Sequence, residues 1–396
     1  MSQRPENRHQ ARLLRLLRDG GPQSRAALGD TTQLSRSKLA VEVDRLVELG
    51  FVELGGLAAS RGGRRSSIAR LSSGLRFAGI DIGATSVDVA VTDGELEVLG
   101  HASEPIDIRE GPEAVLEQAL ELIGKLRAAG LMTELHGAGI GVPGPVDFRE
   151  GVAVVPPIMP GWDHFPVRAS MSQELGCPVQ LDNDVNIMAL GELHSGIARS
   201  VDDFLLVKIG TGIGCGIVVG GAVYRGVSGS AGDIGHICVD SVDTDGPVCS
   251  CGNAGCLEAH FGGAALARDA LDAARAGRSP ALAETLARAG TLTAADVGHA
   301  AAAGDTVAVG MVREGGRRVG QVLASLVSFA NPGLVVIGGG VAGLGNTLLA
   351  EIRSVVYRRS LPLATGDLPI VLSELKEHAG VIGAARLASD HVLSMS

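Results

Sequence analysis

Residues 77–91 read FAGIDIGATSVDVAV, and residues 207–219 read VKIGTGIGCGIVV. Each opens on an apolar run suited to a buried strand, breaks at a Gly/Thr turn and resumes as a second strand, with Val87, Val89 and Val91 alternating in the first copy. Two strand-turn-strand hairpins of one plan make an internal repeat, each presenting glycine amides and a threonine hydroxyl. Turns of this kind suit a nucleotide phosphate. Asp81, Gly83 and Thr85 would serve in the first, with Asp81 toward a Mg²⁺ ion, and Thr211 and Gly212 in the second. One glycine hairpin alone carries little weight, because ordinary hairpins use the same residues. A third glycine turn, residues 338–341, follows the apolar strand at 334–337 and puts Gly339 and Gly340 where an adenosine could pack, completing a candidate ATP site.

Beyond the second hairpin, residues 233–258 read DIGHICVDSVDTDGPVCSCGNAGCLE. Cys249, Cys251 and Cys256 fall within eight residues, with Gly252 and Gly255 between them and His236 upstream. Three thiolates and an imidazole form the tetrahedral set that structural Zn²⁺ prefers, and the glycines allow a tight knuckle. Disulfides or inert buried thiols are the alternative. They are disfavoured if the chain stays in a reducing compartment, and the N-terminal MSQRPENRHQ, which has no signal-peptide core, predicts the cytoplasm. A closed four-ligand site leaves no open position for catalysis, so the metal loop is expected to be a scaffold that also holds Asp233. Between the hairpins, residues 181–186 read LDNDVN where a strand meets a helix. Asp184 there could accept a proton from a substrate hydroxyl fixed by Asn183, or the pair could be an ordinary helix cap.

The chain has 396 residues, 45% hydrophobic but only 3% aromatic, with 57 glycines: an α/β composition of two or three domains, neither disordered nor fibrous. No apolar run approaches the roughly 18 residues that a membrane span requires. The net charge of -10 hides an asymmetry, because residues 1–76 hold 14 Lys+Arg against 7 Asp+Glu and the remainder holds 20 against 37. A basic module that meets a polyanion is joined to an acidic one.

In residues 1–74, Asn7 caps a helix with Leu13, Leu14 and Leu17 inward, and a short helix begins at Ser24. After a turn at 29–33, Ser35 caps a third helix with Leu39, Val43, Leu46 and Val47 inward, closed by Gly50. Ser35, Arg36, Ser37 and Lys38 form its polar tip. Two strands at 51–54 and 67–71 flank a basic loop containing Arg61, Arg64 and Arg65. This is the plan of a winged helix-turn-helix, whose third helix enters the major groove while the loop places arginines on phosphates or in a minor groove. A solvated three-helix module for protein contacts is the plainer alternative.

Taken together, these segments resemble the ROK family (repressors, open reading frames, sugar kinases), and the resemblance covers nearly the whole chain. CSCGNAGCLE matches the family's C-x-C-G-x-x-G-C-x-E, and residues 233–236 resemble its Glu-x-Gly-His sugar motif. Residues 81–86 and 210–214 resemble its two phosphate loops, residues 142–147 its Pro-Gly turn at the sugar, and Asn183-Asp184 its general-base position. The implied fold is α/β: an N-terminal winged helix-turn-helix followed by a two-lobed actin-like ATPase body. The lobes would be about 75–185 with the C-terminal helix 380–392, and about 186–379 with the zinc loop 236–258. The resemblance implies that Gly144, Asn183, Asp184, Asp233 and His236 meet a sugar, that Asp184 is the base in any kinase reaction, and that His236, Cys249, Cys251 and Cys256 hold zinc.

Departures bear on the choice between regulator and enzyme. Asp233 stands in place of Glu, withdrawing the carboxylate by one C–C bond, ~1.5 Å. Ile158 stands where many members carry Asn, Ala84 replaces a glycine, and Ser86 a frequent Lys or Asn. The first reading is therefore a regulator that binds duplex operator DNA and responds to a sugar or sugar phosphate, acting as a homodimer or homotetramer without a membrane role. An ATP-dependent, glucokinase-like sugar kinase, alone or alongside regulation, is the alternative.

Overall fold

Asn7, Ser24 and Ser35 each accept hydrogen bonds from the first-turn amides of the helix that follows, and these caps set the starts of helices Arg8–Gly20, Arg25–Thr32 and Arg36–Glu48. The computed structural model describes residues 4–57, 67–240 and 246–395. The second helix continues through the residues expected to be a turn. Thr32 donates through its hydroxyl to the Leu28 carbonyl, and Gln33, at φ 61°, closes the helix instead. Strands Val52–Leu57 and Ser67–Leu71 pair antiparallel, and the dipeptide Gln23–Ser24 adds a third strand on the far side of Ser67–Leu71. Three helices and this sheet form a winged helix. The expected wing residues Arg61, Arg64 and Arg65 lie outside the described residues.

Two compact units make up the chain: residues 1–194 with 380–396, and residues 195–379. The first unit contains the winged helix and a five-stranded sheet in the order Val179–Asn183, Gly137–Val142, Phe77–Ile82, Ser86–Thr92, Val98–Pro105. Phe77–Ile82 runs parallel to Gly137–Val142 and antiparallel to Ser86–Thr92. The second unit repeats this plan. Its sheet runs Ala222–Val223, Ile213–Val219, Phe204–Ile209, Leu334–Gly338, Ile370–Leu372, with Phe204–Ile209 antiparallel to one neighbour and parallel to the other. The internal repeat read in the sequence is thus a repeat of topology. Past residue 262 the chain forms helices Gly263–Arg275, Pro280–Ala289, Ala294–Ala302 and Thr306–Ala330.

Helix Asp184–His194 belongs to the first unit, so the division falls after residue 194 and not near 186. Packing explains the difference. A Cβ on Gly141 would lie 2.1 Å from Ile187 Cδ1, so this helix is seated directly on the first sheet. The C-terminal helix His378–Val392 is seated more closely still. Cβ atoms on Gly79 and Gly139 would lie 1.8 Å and 1.9 Å from the carbonyl oxygens of Val381 and Ala384, so backbone meets backbone and only glycine fits.

The far end of that helix carries the winged helix. Leu13, Leu14 and Leu17 share one apolar core with Ala385, Ala388, Val392 and Leu393. The buried Arg18 guanidinium donates to Asp390 Oδ1 at 2.7 Å, to Ser389 Oγ at 3.2 Å and to Asp19 at 2.8 Å. Arg386 donates to Asp390 and, from Nη1, to His194 Nδ1 at 3.0 Å. The His194 side chain is only 10% exposed. Outside the Cys₃His cluster, Cys177 and Cys215 are buried and Cys238 is exposed.

Burial and the adjacent Arg386 push the His194 imidazole down to about 4 from the ordinary 6.5. A depressed histidine costs stability on protonation, so this contribution is complete above pH 6.5 and is lost as pH falls toward 4. The melting temperature should therefore fall across that window. The His194→Gln chain should show a smaller fall than wild type in calorimetric scans, and equal slopes would contradict the assignment.

Candidate functional site

On the winged helix, the tip of Arg36–Glu48 is solvent-facing: Ser35, Arg36, Ser37 and Lys38 are all exposed. They are not equivalent. Ser35 Oγ accepts from the Lys38 amide at 3.3 Å, so its hydroxyl is committed to the cap. The Lys38 ammonium lies 2.5 Å from Glu42, whose side chain is 3% exposed. Burial pushes the Glu42 carboxyl up, but hydrogen bonds from Asn7, Lys38 and Gln10 outweigh it and hold the group at about 2. A charge this well partnered is costly to strip of a partner, which gives Lys38 a structural role that sequence reading did not anticipate. Arg36 and Ser37 are left to face a ligand.

In the first unit, Gly144 and Asn183 are brought together. Gly144 sits at φ 109°, a conformation open to glycine, and its carbonyl accepts from Asn183 Nδ2 at 2.9 Å. Asn183 Oδ1 accepts from the Val185 amide at 2.9 Å, so Asn183 performs the cap considered as the plain alternative and is oriented from both ends. Asp182 accepts from the Asn183 amide and from Asn186 Nδ2, which locks the turn. Asp184 follows as the first residue of helix Asp184–His194 and is 5% exposed. Asp81, next to last in the central strand Phe77–Ile82, lies against Gly380. In the turn beyond, Gly83 donates to the Ser86 carbonyl and the Ala84 and Thr85 carbonyls accept from Ile108 and Ile106. The Thr85 side chain is exposed.

The second unit assembles its own set. Gly210 donates to the Gly212 carbonyl, closing the turn that exposes Thr211, and the Gly210 carbonyl accepts from Gly263 at the start of the next helix. On the adjacent parallel strand, Gly339 sits at φ 86° with room for a Cβ denied by the Ile209 carbonyl. Gly340 begins a 3₁₀ turn, Gly340–Leu344, and does not extend an open loop.

The metal loop packs on the same hairpin. His236, Cys249, Cys251 and Cys256 place one ligand atom each within 4.8 Å of one another. Tetrahedral Zn–S bonds of about 2.3 Å imply S···S separations of about 3.8 Å, and Zn–N bonds of about 2.0–2.1 Å imply N···S of about 3.6 Å. Cys251 and Cys256 sulfurs are 3.7 Å apart, and His236 Nδ1 lies 3.4 Å from Cys249 Sγ. The cluster therefore fits a tetrahedral ion. With Nδ1 toward the thiols, His236 Nε2 faces Asp233, whose Oδ1 lies 3.7 Å away, longer than a hydrogen bond. Burial pushes the Cys256 thiol up to about 12, while the Asn253 amide pulls Cys251 down. Bound metal would reverse the first and reinforce the second by binding both as thiolates.

Two further parts of this loop were missed. Glu258 accepts from the Ile213 amide at 3.0 Å and from Ser250 at 3.4 Å, which ties the knuckle to the Thr211 turn. Its place as the last residue of C-x-C-G-x-x-G-C-x-E was the available signal. Asp240 accepts from His260 at 2.6 Å and from Arg318 at 3.1 Å, anchoring the loop to helices Leu257–Phe261 and Thr306–Ala330. No spacing rule could have found it, because Arg318 is 78 residues away.

A winged helix joined to two sheets of repeated topology, with glycine-threonine turns and a Cys₃His knuckle, defines a DNA-binding protein class built on a sugar-kinase-like body. Residues 77–391 match the ROK family, and the chain belongs to it. The xylose repressor of Caldicellulosiruptor bescii is 29% identical over 96% of this chain and 95% of its own length. A ROK family transcriptional regulator homologous to the E. coli MLC protein superposes with a TM-score of 0.79 at 26% identity, covering 97% of this chain and 95% of that one. A ROK glucokinase from Streptomyces griseus, solved with glucose and AMPPNP, gives 0.69 at 32% identity, covering 79% of this chain and 99% of that one.

Purified protein should hold about one zinc per chain by elemental analysis, and Cys249→Ser should lower both the zinc content and the melting temperature. Full stability after exhaustive chelation would contradict a structural metal.

Proposed function

We propose that this protein is a sugar-responsive transcriptional repressor: the winged helix binds operator DNA, and a sugar bound by the body changes that affinity. The observation that carries the reading is the winged helix itself. It precedes the part of the chain shared with the sugar kinases, is buried against the body, and presents an exposed Arg36–Ser37 tip. The xylose repressor relative, matched over 95% of its own length, supports the same conclusion.

In this reading Asn183, held by Gly144, and Asp184 offer hydrogen bonds to sugar hydroxyls, as do Asp233 and the Nε2 face of His236. Zinc, bound by His236, Cys249, Cys251 and Cys256, supplies rigidity to that pair and no chemistry. Asp233 is a shorter acid than the glutamate expected there, which suits recognition of a sugar without the tight alignment a phosphoryl transfer demands. The Gly83–Thr85 and Thr211–Gly212 turns remain the places where a nucleotide phosphate or the phosphate of a sugar phosphate would sit, with Asp81 on its cation side and Gly339–Gly340 beside the base. Two-fold pairing of the chain would set two winged helices on a pseudo-palindromic site. Binding must favour one arrangement of the body over the other for the sugar to regulate anything.

The test begins with a duplex selected from a random pool by the full chain. Arg36→Ala should weaken binding and reduce the salt slope by about one, the share of one phosphate contact, without lowering the melting temperature. Lys38→Met should instead destabilise the winged helix by leaving Glu42 short of its cation. Titration of the complex with D-xylose and D-glucose, each with and without Mg-ATP, should release DNA in at least one arm. Selection that enriches no duplex would overturn the proposal.

A further inference from the structure

The C-terminal helix His378–Val392 touches the candidate ligand residues at one end and the winged helix at the other. At its start, a Cβ on Gly380 would lie 1.9 Å from Asp81 Oδ2. One turn on, a Cβ on Gly383 would lie 1.6 Å from the Ile187 carbonyl, in the helix that begins at Asp184. Between them, the carbonyls of Val381 and Ala384 rest on Gly79 and Gly139, so the helix cannot slide over the strands that carry Asp81 and lead to Gly144. Its last turns join the core of Leu13, Leu14 and Leu17. There Asp390 and Ser389 accept from the buried Arg18, and Arg4 pairs with His391.

The chain crosses between its two compact units twice, after His194 and before Gly380. Arg386 donates to His194 and lies 3.2 Å from Asp19. The charged cluster that fastens the winged helix therefore includes the residue at one crossing, and Gly380 is the residue at the other.

We propose that helix His378–Val392 is the transmission element of the protein: the winged helix is not tethered but clamped, and displacement at Asp81 or at the start of helix Asp184–His194 reaches it through backbone contact and the Arg18–Asp390 pair. A tethered reader would join the body through a polar, solvated linker. Here instead apolar side chains and a buried guanidinium, paired with carboxylates at the surface, close the junction. A ligand that shifts Asp81 or Asp184 moves a stiff rod whose far end is the DNA reader. The inference deepens the repressor reading but is testable without DNA or sugar, so the two can fail separately.

Hydrogen exchange of the full chain, followed by mass spectrometry over amides in Arg8–Gly20, provides the test. Gly380→Ala forces Asp81 and the helix start apart and should change exchange in Arg8–Gly20 by about fivefold or more, although the substitution lies at the opposite end of the helix. In the Asp390→Asn background the same substitution should change it by less than about twofold, because the clamp is loosened. If Gly380→Ala does not fold, Asp81→Asn takes its place. Unaltered exchange in Arg8–Gly20, or effects that simply multiply in the double variant, would overturn the proposal. Failure to select any duplex would count against the repressor reading and leave these outcomes intact.

Discussion

Backbone-to-backbone packing of the C-terminal helix on the first sheet is the constraint on which the rest of that unit depends. Val381 and Ala384 carbonyls occupy space that any side chain at Gly79 or Gly139 would fill. Such contact fixes the helix in translation as well as in tilt, because interiors packed to crystal density do not deform smoothly. The position of the winged helix is then decided by residues about 370 further along the chain, as the separation of Arg18 from Ser389 and Asp390 requires. Glycine is used here for absence of bulk, and at Gly144 and Gly339 for backbone conformation.

The metal knuckle solves a different problem in the second unit. Its own apolar cluster amounts to Cys249, Cys256 and Ala259 with Cys251 beside them, too little to order a loop against its conformational entropy. A cross-link from an ion on His236, Cys249, Cys251 and Cys256 would supply what burial does not. Glu258 and Asp240 then connect the ordered knuckle outward, to the Thr211 turn and to the long helix carrying Arg318. An ion held by Nδ1 would fix the His236 ring and so the Nε2 edge that faces Asp233.

Much of this was legible in the sequence, for identifiable reasons. Caps at Asn7, Ser24 and Ser35, the strand-turn-strand repeat and the Cys₃His spacing are local signals, each contained in a few residues. The helix through residues 29–32 was missed because Gly29 and two threonines read as a turn, whereas tertiary contact with Leu39 and the Thr32 side-chain hydrogen bond favour helix. The unit boundary near 186 was misplaced because Ile187 packs across the sheet on Gly141 and against Gly383, pairings that no periodicity reports. His194 and Asp240 were unreadable for the same reason, since their partners lie 192 and 78 residues away.

Charge in the winged helix is distributed less freely than its surplus of seven suggests. Among the described residues Arg18, Arg25, Lys38, Arg45 and Arg70 each pair with a carboxylate of the same unit. A paired cation on the surface projects little field beyond a Debye length and releases few counterions from DNA. Among the described residues, Arg36 at the tip of the third helix is exposed and carries no such pair. The paired cations thus hold the module together and onto the C-terminal helix, and Arg36 is left exposed.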